Sequence, residues 1–231
     1  MSHEPDSSNP LHSFDFALKT KPRQAIKILH EKLYSFGVPF ELEQGEEVYF
    51  SDDKETAFII LLTEGCISVC HFNTGLHAGT GFAPTVLGLI DGYSLYYGVE
   101  NRPRHYICAE THCKGFKVPL AAFVEQCDKH DLWHDIARIL AQRLMTMSAM
   151  EEELVGRDAY GSIRAVLMEL WLYPEDIRSQ LNIAAFIQKR TNLSRSRIMD
   201  VLSALKKGGY ITIKVGKLVD LKNYLKPFSP L

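Results

Sequence analysis

The chain has 231 residues, of which 46% are hydrophobic, 10% aromatic and 23% charged. This is the composition of an ordinary globular protein and excludes intrinsic disorder for the bulk of the chain. The longest apolar runs, such as 58–62 and 183–187, are about a quarter of the ~20 residues that cross a bilayer, which excludes a membrane span. Residues 1–10 lack the basic start and apolar run of a secretory signal, so we expect a cytoplasmic protein.

The formal net charge of −2 hides an uneven distribution. Residues 1–154 contain 13 Lys and Arg and 22 Asp and Glu, a net charge of −9, whereas residues 155–231 contain 13 and 6, a net charge of +7. Such an asymmetry is typical of a polyanion-binding module joined to a body that does not bind polyanions. The length allows one large domain or two modest ones, and the step in charge favours two.

The N-terminal half is predicted to be a flexible arm, a helix and a β-roll. We expect the arm at residues 1–19. A helix then starts near Thr20, because Thr can cap a helix, Pro22 suits the first turn, and apolar residues recur at three- and four-residue spacing before Gly37. From Val38 to about Phe116, short β-favouring runs alternate with turn residues, which predicts a compact antiparallel β-roll. Examples of such runs are 47–50, 58–62, 66–72, 85–89 and 105–109.

Two further helices are predicted after the roll, a short one at 119–127 and a long one from Asp131 to about Gly156, where a hinge is expected at 156–158. The apolar positions of the long helix follow a three-four rhythm, although Arg143 interrupts one track. That rhythm fits either an ordinary amphipathic helix or a coiled-coil dimer seam, and both interpretations stay open. The positions are Trp133, Ile136, Leu140, Leu144, Met147, Met150 and Leu154.

The basic C-terminal third is predicted to be a winged helix-turn-helix. A first helix at 162–172 ends before Pro174. A second helix runs from the N-cap Asn182 to Arg190, and after a tight turn a third begins at the N-cap Ser194. The third helix has an apolar stripe and stops at two glycines, and a β-hairpin follows as the wing. The stripe is Ile198, Val201, Leu202 and Leu205, the stop is Gly208–Gly209, and the hairpin strands are 210–214 and 218–221.

The third helix carries the candidate DNA-reading side chains. With its apolar stripe turned inward, Arg195 and Arg197 lie on the two flanks near its start. An arginine there can donate two hydrogen bonds to guanine, and serine with backbone N–H groups suits phosphate oxygens. Asp200 lies on the same face, where DNA phosphates would repel its carboxylate. A hydrogen bond from a cytosine amino group would offset that repulsion, so Asp200 favours sequence-specific readout. The predicted DNA contacts are Ser194, Arg195, Ser196, Arg197, Met199, Asp200 and Ser203, with Lys214 and Lys217 of the wing.

From about Leu33 to Leu225 the sequence resembles the CRP/FNR family of bacterial transcription regulators. Three stretches carry the resemblance: 43–46 entering the roll, the strand–glycine–strand stretch 57–69, and 192–198 with Leu202 and 205–211 at the recognition helix and its exit. The resemblance implies an α+β fold with an N-terminal cyclic-nucleotide-binding-type β-roll of jelly-roll form, a long central dimerisation helix and a C-terminal winged helix-turn-helix. The implied domains are the arm 1–19, the roll 20–127, the dimerisation helix 128–156 and the winged helix 157–231.

The resemblance also assigns roles. It implies that Ser194 contacts phosphate and that Arg195 reads a base, while Asp200 stands where many members carry another arginine. Within the family the sequence is most similar to an enterobacterial branch that includes the inhibitor of hydrogen peroxide resistance, which implies a link to oxidative stress. The implied partners are double-stranded DNA with a near-palindromic operator and a second copy of the chain. RNA polymerase is a further candidate partner.

The same resemblance places a degenerate effector pocket in the roll. Nucleotide-binding members hold the ribose hydroxyl with a Gly-Glu pair and the cyclic phosphate with an Arg-Ser pair, and the matching positions here are Gly88-Leu89 and Pro103-Arg104. Leucine cannot accept the hydroxyl, and proline cannot pair with phosphate. Arg102 and Arg104 lie one residue to either side, but a one-residue slip on a strand turns a side chain to the opposite face. We therefore predict that the chain does not bind a cyclic nucleotide.

Five cysteines with no C-x-x-C pair argue against a disulfide scaffold. Candidate redox sensors are Cys66 and Cys70, on one predicted strand face, and Cys108 and Cys113, the latter beside His112, which can lower a thiol pKa. The alternative is that these cysteines are small buried hydrophobes. The family's iron–sulfur branch has an N-terminal cysteine cluster that is absent here, and isolated histidines are mostly structural, so we predict no cofactor and no metal.

Two classes of function stay open at this stage. The first is a dimeric DNA-binding regulator, with thiol-redox sensing as a variant. The second is an effector-binding or partner-binding module in which the winged helix docks a protein. An enzyme is not predicted, because the sequence contains no G-x-S-x-G, H-E-x-x-H or P-loop motif.

Overall fold

The computed structural model describes residues 13–100, 104–154 and 158–222, and they form the predicted α+β fold. The helices are α1 Ser13–Thr20, α2 Arg23–Leu33, α3 Leu89–Tyr97, α4 Leu120–Lys129, α5 Trp133–Leu154, α6 Ala159–Leu172, α7 Glu175–Arg178, α8 Ile183–Arg190 and α9 Arg195–Lys207. The strands are β1 Val38–Leu42, β2 Glu47–Tyr49, β3 Phe58–Glu64, β4 Cys66–His71, β5 His77–Phe82, β6 Thr85–Leu87, β7 His105–Ala109, β8 Cys113–Pro119, β9 Ile211–Lys214 and β10 Lys217–Leu221.

The prediction of a flexible arm at 1–19 is wrong for its last seven residues, which lie in α1. This helix forms because its apolar residues at i, i+3 and i+4 meet α5 and α6. Phe14 is buried, and its ring stacks on Tyr173 with centroids 4.9 Å apart. The helix predicted from Thr20 begins instead at Arg23, directly after Pro22. Residues 1–12 lie outside the described part of the chain.

The predicted β-roll is confirmed as two antiparallel four-stranded sheets with the strand orders β1-β8-β3-β6 and β2-β7-β4-β5. Ile60 and Leu62 of β3 point between the sheets and pack with Ile67 and Ile107. Residues on the other face of β3 pack under α2, α4 and α5. Both faces of β3 are therefore covered, which explains its continuous apolar run. Strands β1, β5 and β8 are not among the example runs predicted from the sequence, and β1 and β5 lie within the region predicted to form the roll.

Gly65 makes the tight connection between β3 and β4. Its φ of +92° lies in the left-handed region, and a Cβ atom there would lie 2.4 Å from the backbone oxygen of His112. Only glycine satisfies both conditions. Steric constraints therefore explain why glycine stands at position 65, between the two strands.

The winged helix has its predicted elements and one addition, the short helix α7. Helices α6, α8 and α9 pack around an apolar core formed by Ile163, Leu167, Ile187, Ile198 and Leu202. The wing turns at Val215 and Gly216, whose φ values of +47° and +74° are those of a two-residue hairpin loop. The hinge residues 156 and 157 and the side chain of Leu154 lie outside the described residues.

Candidate DNA-binding surface

Side-chain caps fix the start of both helices of the helix-turn-helix. The Asn182 side-chain oxygen accepts hydrogen bonds from the backbone N–H groups of Ala184 and Ala185, each at 3.1 Å. The Ser194 hydroxyl oxygen accepts one from the backbone N–H of Arg197 at 3.2 Å. Both predicted N-caps are confirmed, and they define where α8 and α9 begin. The Ser194 hydroxyl hydrogen remains available to a phosphate oxygen.

Helix α9 turns its apolar stripe inward and its polar residues outward. Ile198, Leu202 and Leu205 are buried in the winged-helix core. Arg195 and Arg197 are exposed, and within the described part of the chain neither forms a salt bridge. Every residue of the cap and helix that was predicted to contact DNA lies on this exposed surface. They are Ser194, Arg195, Ser196, Arg197, Met199, Asp200 and Ser203.

The two wing lysines differ in their surroundings. Lys214 is exposed, whereas Lys217, its partner across the hairpin, is half-buried and donates a hydrogen bond to the backbone oxygen of Gln180. The Lys217 ammonium is therefore partly engaged within the protein, and Lys214 is the freer cation. Val215, at the tip of the wing, is 97% exposed and was not among the predicted contacts. Its exposure follows from the tight turn, which the sequence does indicate.

Comparison with known proteins agrees with this geometry. The family model described as winged helix-turn-helix DNA binding matches residues 159–225. The inhibitor of hydrogen peroxide resistance of Escherichia coli (strain K12) is 33% identical over 201 residues, which cover 86% of this chain and 93% of that protein. The chain belongs to the CRP/FNR family, in the branch of that inhibitor. The Salmonella typhimurium protein of the same name is 28% identical over 202 residues, covering 87% of this chain and 95% of its own.

Solved structures of CRP/FNR regulators have the same fold. The c-di-GMP responsive global regulator CLP of Xanthomonas campestris gives a TM-score of 0.67 at 16% identity, covering 85% of this chain and 100% of its own. A CRP/FNR-family transcriptional regulator of Thermus thermophilus gives a TM-score of 0.58 at 17% identity, covering 80% of this chain and 94% of its own. These structures support the fold, whereas the match to the winged helix-turn-helix model and the 33% identical relative identify the chain as a DNA-binding CRP/FNR-type transcription regulator.

In this CRP/FNR regulator the positions predicted as a degenerate effector pocket do not form a polar site. Gly88 caps α3 with a φ of +86°, and Leu89 is buried. Arg104 pairs with Asp52, and its guanidinium lies 4.8 Å from the ring centre of Phe72. Arg104 is thus held outside the roll. Arg102 and Pro103 lie outside the described residues.

All five cysteines are free and buried. Burial raises the thiol pKa of Cys66 well above its usual value, and burial also raises the pKa values of Cys70, Cys108 and Cys113. The expectation that His112 lowers the pKa of Cys113 is wrong. His112 faces Glu41 and Glu43 at 3.4 and 3.7 Å, while the Cys113 thiol donates to the backbone oxygen of Cys66 at 3.3 Å.

A buried polar cluster between the roll and the winged helix was not predicted. We call it the Arg190 cluster: Arg190 of α8, Glu169 of α6, Tyr173, and Thr80 and His77 of β5. A terminal guanidinium nitrogen of Arg190 donates to the hydroxyl oxygens of Thr80 and Tyr173 at 3.0 and 3.1 Å. Burial raises the pKa of Tyr173 and lowers that of His77, so both side chains are neutral. The members of the Arg190 cluster are far apart in sequence, so no local sequence pattern indicates the cluster.

The neighbouring residue Lys189 makes a second link between the two parts. Its ammonium lies 3.7 Å from a carboxylate oxygen of Glu110, and Glu110 also accepts a hydrogen bond from Ser68 of β4. Two consecutive basic residues of α8 therefore contact the second sheet of the roll. This arrangement sets the orientation of the helix-turn-helix relative to the roll.

The described residues provide no metal-binding group of three or more His, Cys, Asp or Glu side chains. Within the same ranges no helix has the length and hydropathy that a membrane span requires.

Proposed function

We propose that this regulator binds a specific, near-palindromic operator as a homodimer, with α9 of each protomer in a major groove. The observation that carries the proposal is the pair of exposed arginines, Arg195 and Arg197, without salt bridges among the described residues, in the first turn of a capped helix. A recognition helix contacts base edges with its N-terminal residues. Arginines that are not paired within the protein are free to pair with bases and phosphates.

The side chains of α9 divide into two roles in this proposal. Arg195 reads a guanine, with Ser196, Arg197 and Met199 beside it, and Asp200 accepts a hydrogen bond from a cytosine amino group. Ser194 and the N-terminal end of α9 contact phosphate, and Ser203 lies further along the same face. In the wing, Lys214 contacts phosphate, and Lys217 contributes less because of its bond to Gln180.

The homodimer is proposed to form through α5. Among the described side chains of this helix, Leu144, Met145 and Met147 are exposed at 67%, 54% and 51%, and Trp133 in the first turn is exposed at 39%. Exposed apolar residues in adjacent turns favour a helix–helix seam. The opposite side of α5 is covered by α1, where the Gln142 side chain donates to the backbone oxygen of Ala17 at 3.2 Å. In the proposed dimer the two α9 helices lie in successive major grooves, so the half-sites are about one helical turn, ~34 Å, apart.

The proposed domains follow the chain order: a roll at 20–127 to which α1 is added, the dimerisation helix 128–156 and the winged helix 157–231. Cyclic-nucleotide independence is part of the proposal, because Leu89 offers no acceptor for a ribose hydroxyl and Arg104 is paired with Asp52. A contact with RNA polymerase stays a prediction.

A role in peroxide resistance is proposed from the name of the relatives. Direct sensing by the four candidate cysteines is not favoured, because they are buried and burial raises their pKa values. The regulator is therefore proposed to act on peroxide resistance through the genes that it controls.

A salt titration tests the DNA-binding mode. Binding of random duplex DNA, followed by fluorescence anisotropy, is expected to weaken steeply as salt rises, since phosphate contacts release counterions. The Lys214→Ala variant is expected to lower the slope of log affinity against log salt by about one. A flat salt response would favour the alternative in which the winged helix docks a protein.

A further inference from the structure

The tip of the wing carries an apolar side chain on an unfavourable backbone conformation. Val215 has a φ of +47°, in the left-handed region. A β-branched residue is disfavoured there, and a two-residue hairpin loop prefers Asn-Gly, Asp-Gly or Gly-Gly. Among the described residues the other non-glycine residue with a positive φ is Asp131, and aspartate is enriched in that region. The backbone therefore does not explain valine at position 215.

Burial does not explain this valine either. The Val215 side chain is 97% exposed, whereas Leu144, the next most exposed large apolar residue in the described ranges, is 67% exposed. The fold thus gains no packing from Val215, and the hairpin loop is strained by it. A backbone outlier that folding does not reward points to a function in binding.

The loop that presents this side chain is fixed to the start of α8. The backbone oxygen of Gly216 accepts a hydrogen bond from the backbone N–H of Ile183 at 2.9 Å. A Cβ atom at Gly216 would lie 2.8 Å from the Nδ2 atom of Asn182, the N-cap of α8, so the loop packs closely against the cap. Lys217 donates to the backbone oxygen of Gln180. The side chain at the tip is therefore held in a defined position.

The place of the tip relative to DNA follows from this attachment. In a helix-turn-helix the second helix lies in the major groove and the first crosses the sugar-phosphate backbone. The C-terminal end of α8 leads through residues 191–194 to the start of α9, so the N-terminal end of α8 lies farther from the major groove. A wing tip attached to that end lies beside the backbone, next to the minor groove on its other side.

The chemistry of the tip suits that groove. Lys214, directly before Val215, is exposed and can pair with a phosphate at the edge of the groove. On the floor of the minor groove, A·T pairs present only acceptors, whereas guanine adds an amino group. That amino group takes the space of an apolar side chain, and it is left without a hydrogen-bond partner when it is covered. A·T pairs leave the space free.

We propose that Val215 enters the minor groove beside the base pairs that α9 reads and selects A·T pairs there, while Lys214 contacts the phosphate at the groove edge. Apolar side chains are a recurrent device of minor-groove binding. The inference rests on the proposed function and adds to it a second reading element, which acts by exclusion of the guanine amino group. The site lies outside the nine predicted DNA contacts.

Three forms of one operator test the proposal on the unaltered, full-length protein. An operator obtained by selection keeps its half-sites, and the flanking base pairs within the footprint are made A·T, G·C or inosine·cytosine. Inosine lacks the minor-groove amino group of guanine and keeps its major-groove acceptors. In fluorescence anisotropy the A·T and inosine forms should bind alike, and the G·C form about fivefold or more weakly, the effect of one unfavourable base pair.

Two results of this comparison overturn the proposal. The first is equal affinity for all three forms. The second is an inosine form that binds as weakly as the G·C form, since the preference would then be read in the major groove. A selection that enriches no sequence overturns the proposed function and this inference with it. An operator that binds equally in all three forms overturns the inference alone.

Three variants assign the preference to the side chain. Val215→Ala should abolish the preference for the A·T and inosine forms and leave the salt dependence unchanged, because no charge is lost. Lys214→Ala should weaken all three forms alike and lower the salt dependence. Val38→Ala shortens an exposed valine of the roll, on β1, and should behave like the unaltered protein. A Val215→Ala protein that keeps the full preference contradicts the proposal.

A measurement without DNA tests the argument from strain. Val215→Asn places a preferred residue in the loop, so the urea midpoint should rise with an unchanged m-value. Val38→Asn makes the same exchange in a strand and should not raise the midpoint. A midpoint lowered by Val215→Asn would show that this valine stabilises the wing, which removes the reason for assigning it a function in binding.

Discussion

Arg190, in the last turn of α8, places its Nε atom 3.1 Å from a carboxylate oxygen of Glu169 on α6, and both side chains are almost completely buried. The same guanidinium donates to Thr80 of the roll and lies 3.5 Å from the ring centre of Phe186. One side chain thus joins two helices of the DNA-binding domain to a strand of the other domain. Buried charges of this kind are tolerated only when every partner is present.

Loss of Arg190 should therefore destabilise the protein strongly. Arg190→Met leaves the Glu169 carboxylate buried without its cation, and we expect the free energy of unfolding to fall by about 3–5 kcal/mol in urea titrations. The double variant Arg190→Met/Glu169→Leu should be more stable than the single one, since no charge is left unpaired. Lys206→Met, exposed on α9, should change stability by no more than about 0.5 kcal/mol. Equal stabilities of the Arg190 and Lys206 variants would contradict this role.

The apolar surface of α5 gives a prediction about assembly. Leu144→Lys places a charge in the proposed dimer seam, and sedimentation velocity should show a shift from dimer to monomer. Ala121→Lys adds the same charge at an exposed position of α4 and should remain dimeric. A Leu144→Lys protein that sediments like the unaltered one would show that the seam lies elsewhere.

The buried thiols give a prediction about redox chemistry. Because burial raises the pKa values of Cys66, Cys70, Cys108 and Cys113, few thiolates exist near pH 7.5 and reaction should be slow. Titration with a thiol-specific disulfide reagent should show little reaction of the native protein within minutes and five reactive thiols in denaturant. Rapid reaction of native protein, together with altered DNA affinity after peroxide treatment, would support the redox-sensing alternative.

Because His77 is buried in its neutral form, we expect the protein to lose stability in mild acid. Burial, and then the charge of Arg190, lowers its pKa well below the ordinary 6.5. The unfolded chain therefore binds a proton below about pH 6.5 that the folded chain does not, and the free energy of unfolding falls as the pH decreases from there towards the folded-state pKa. The slope is at most about 1.4 kcal/mol per pH unit for one such group.

Urea titrations between pH 7.5 and 5 measure this slope, and His77→Gln should reduce it. His30 contributes in the same direction, because burial lowers its pKa as well, so part of the slope should remain in the variant. An identical slope in both proteins would show that His77 is not the group responsible.

The sequence predicts the parts of the fold that depend on local chemistry. The caps Asn182 and Ser194 and the stripe on α9 are signalled within a few residues of where they act, and the structure has them there. The sequence predicts the turn of the wing at 215–217, and the structure shortens it to Val215 and Gly216, because Lys217 pairs with Lys214 in the hairpin. The α1 helix and the Arg190 cluster depend on partners as distant as Phe14 and Tyr173 or Thr80 and Arg190. The periodicity of the sequence does not indicate such pairs, because their stabilisation comes from burial between elements that are far apart in the chain.

Selection of duplexes from a random DNA library, followed by footprinting, tests whether α9 reads an operator as part of a dimer. The selected sites should form a near-palindrome with half-sites about one helical turn, ~34 Å, apart. Arg195→Ala should weaken binding by ~1–3 kcal/mol and relax one base position in each half-site. Absence of any enriched sequence, or an enriched sequence that Arg195→Ala binds with unchanged affinity and base preference, would contradict the account.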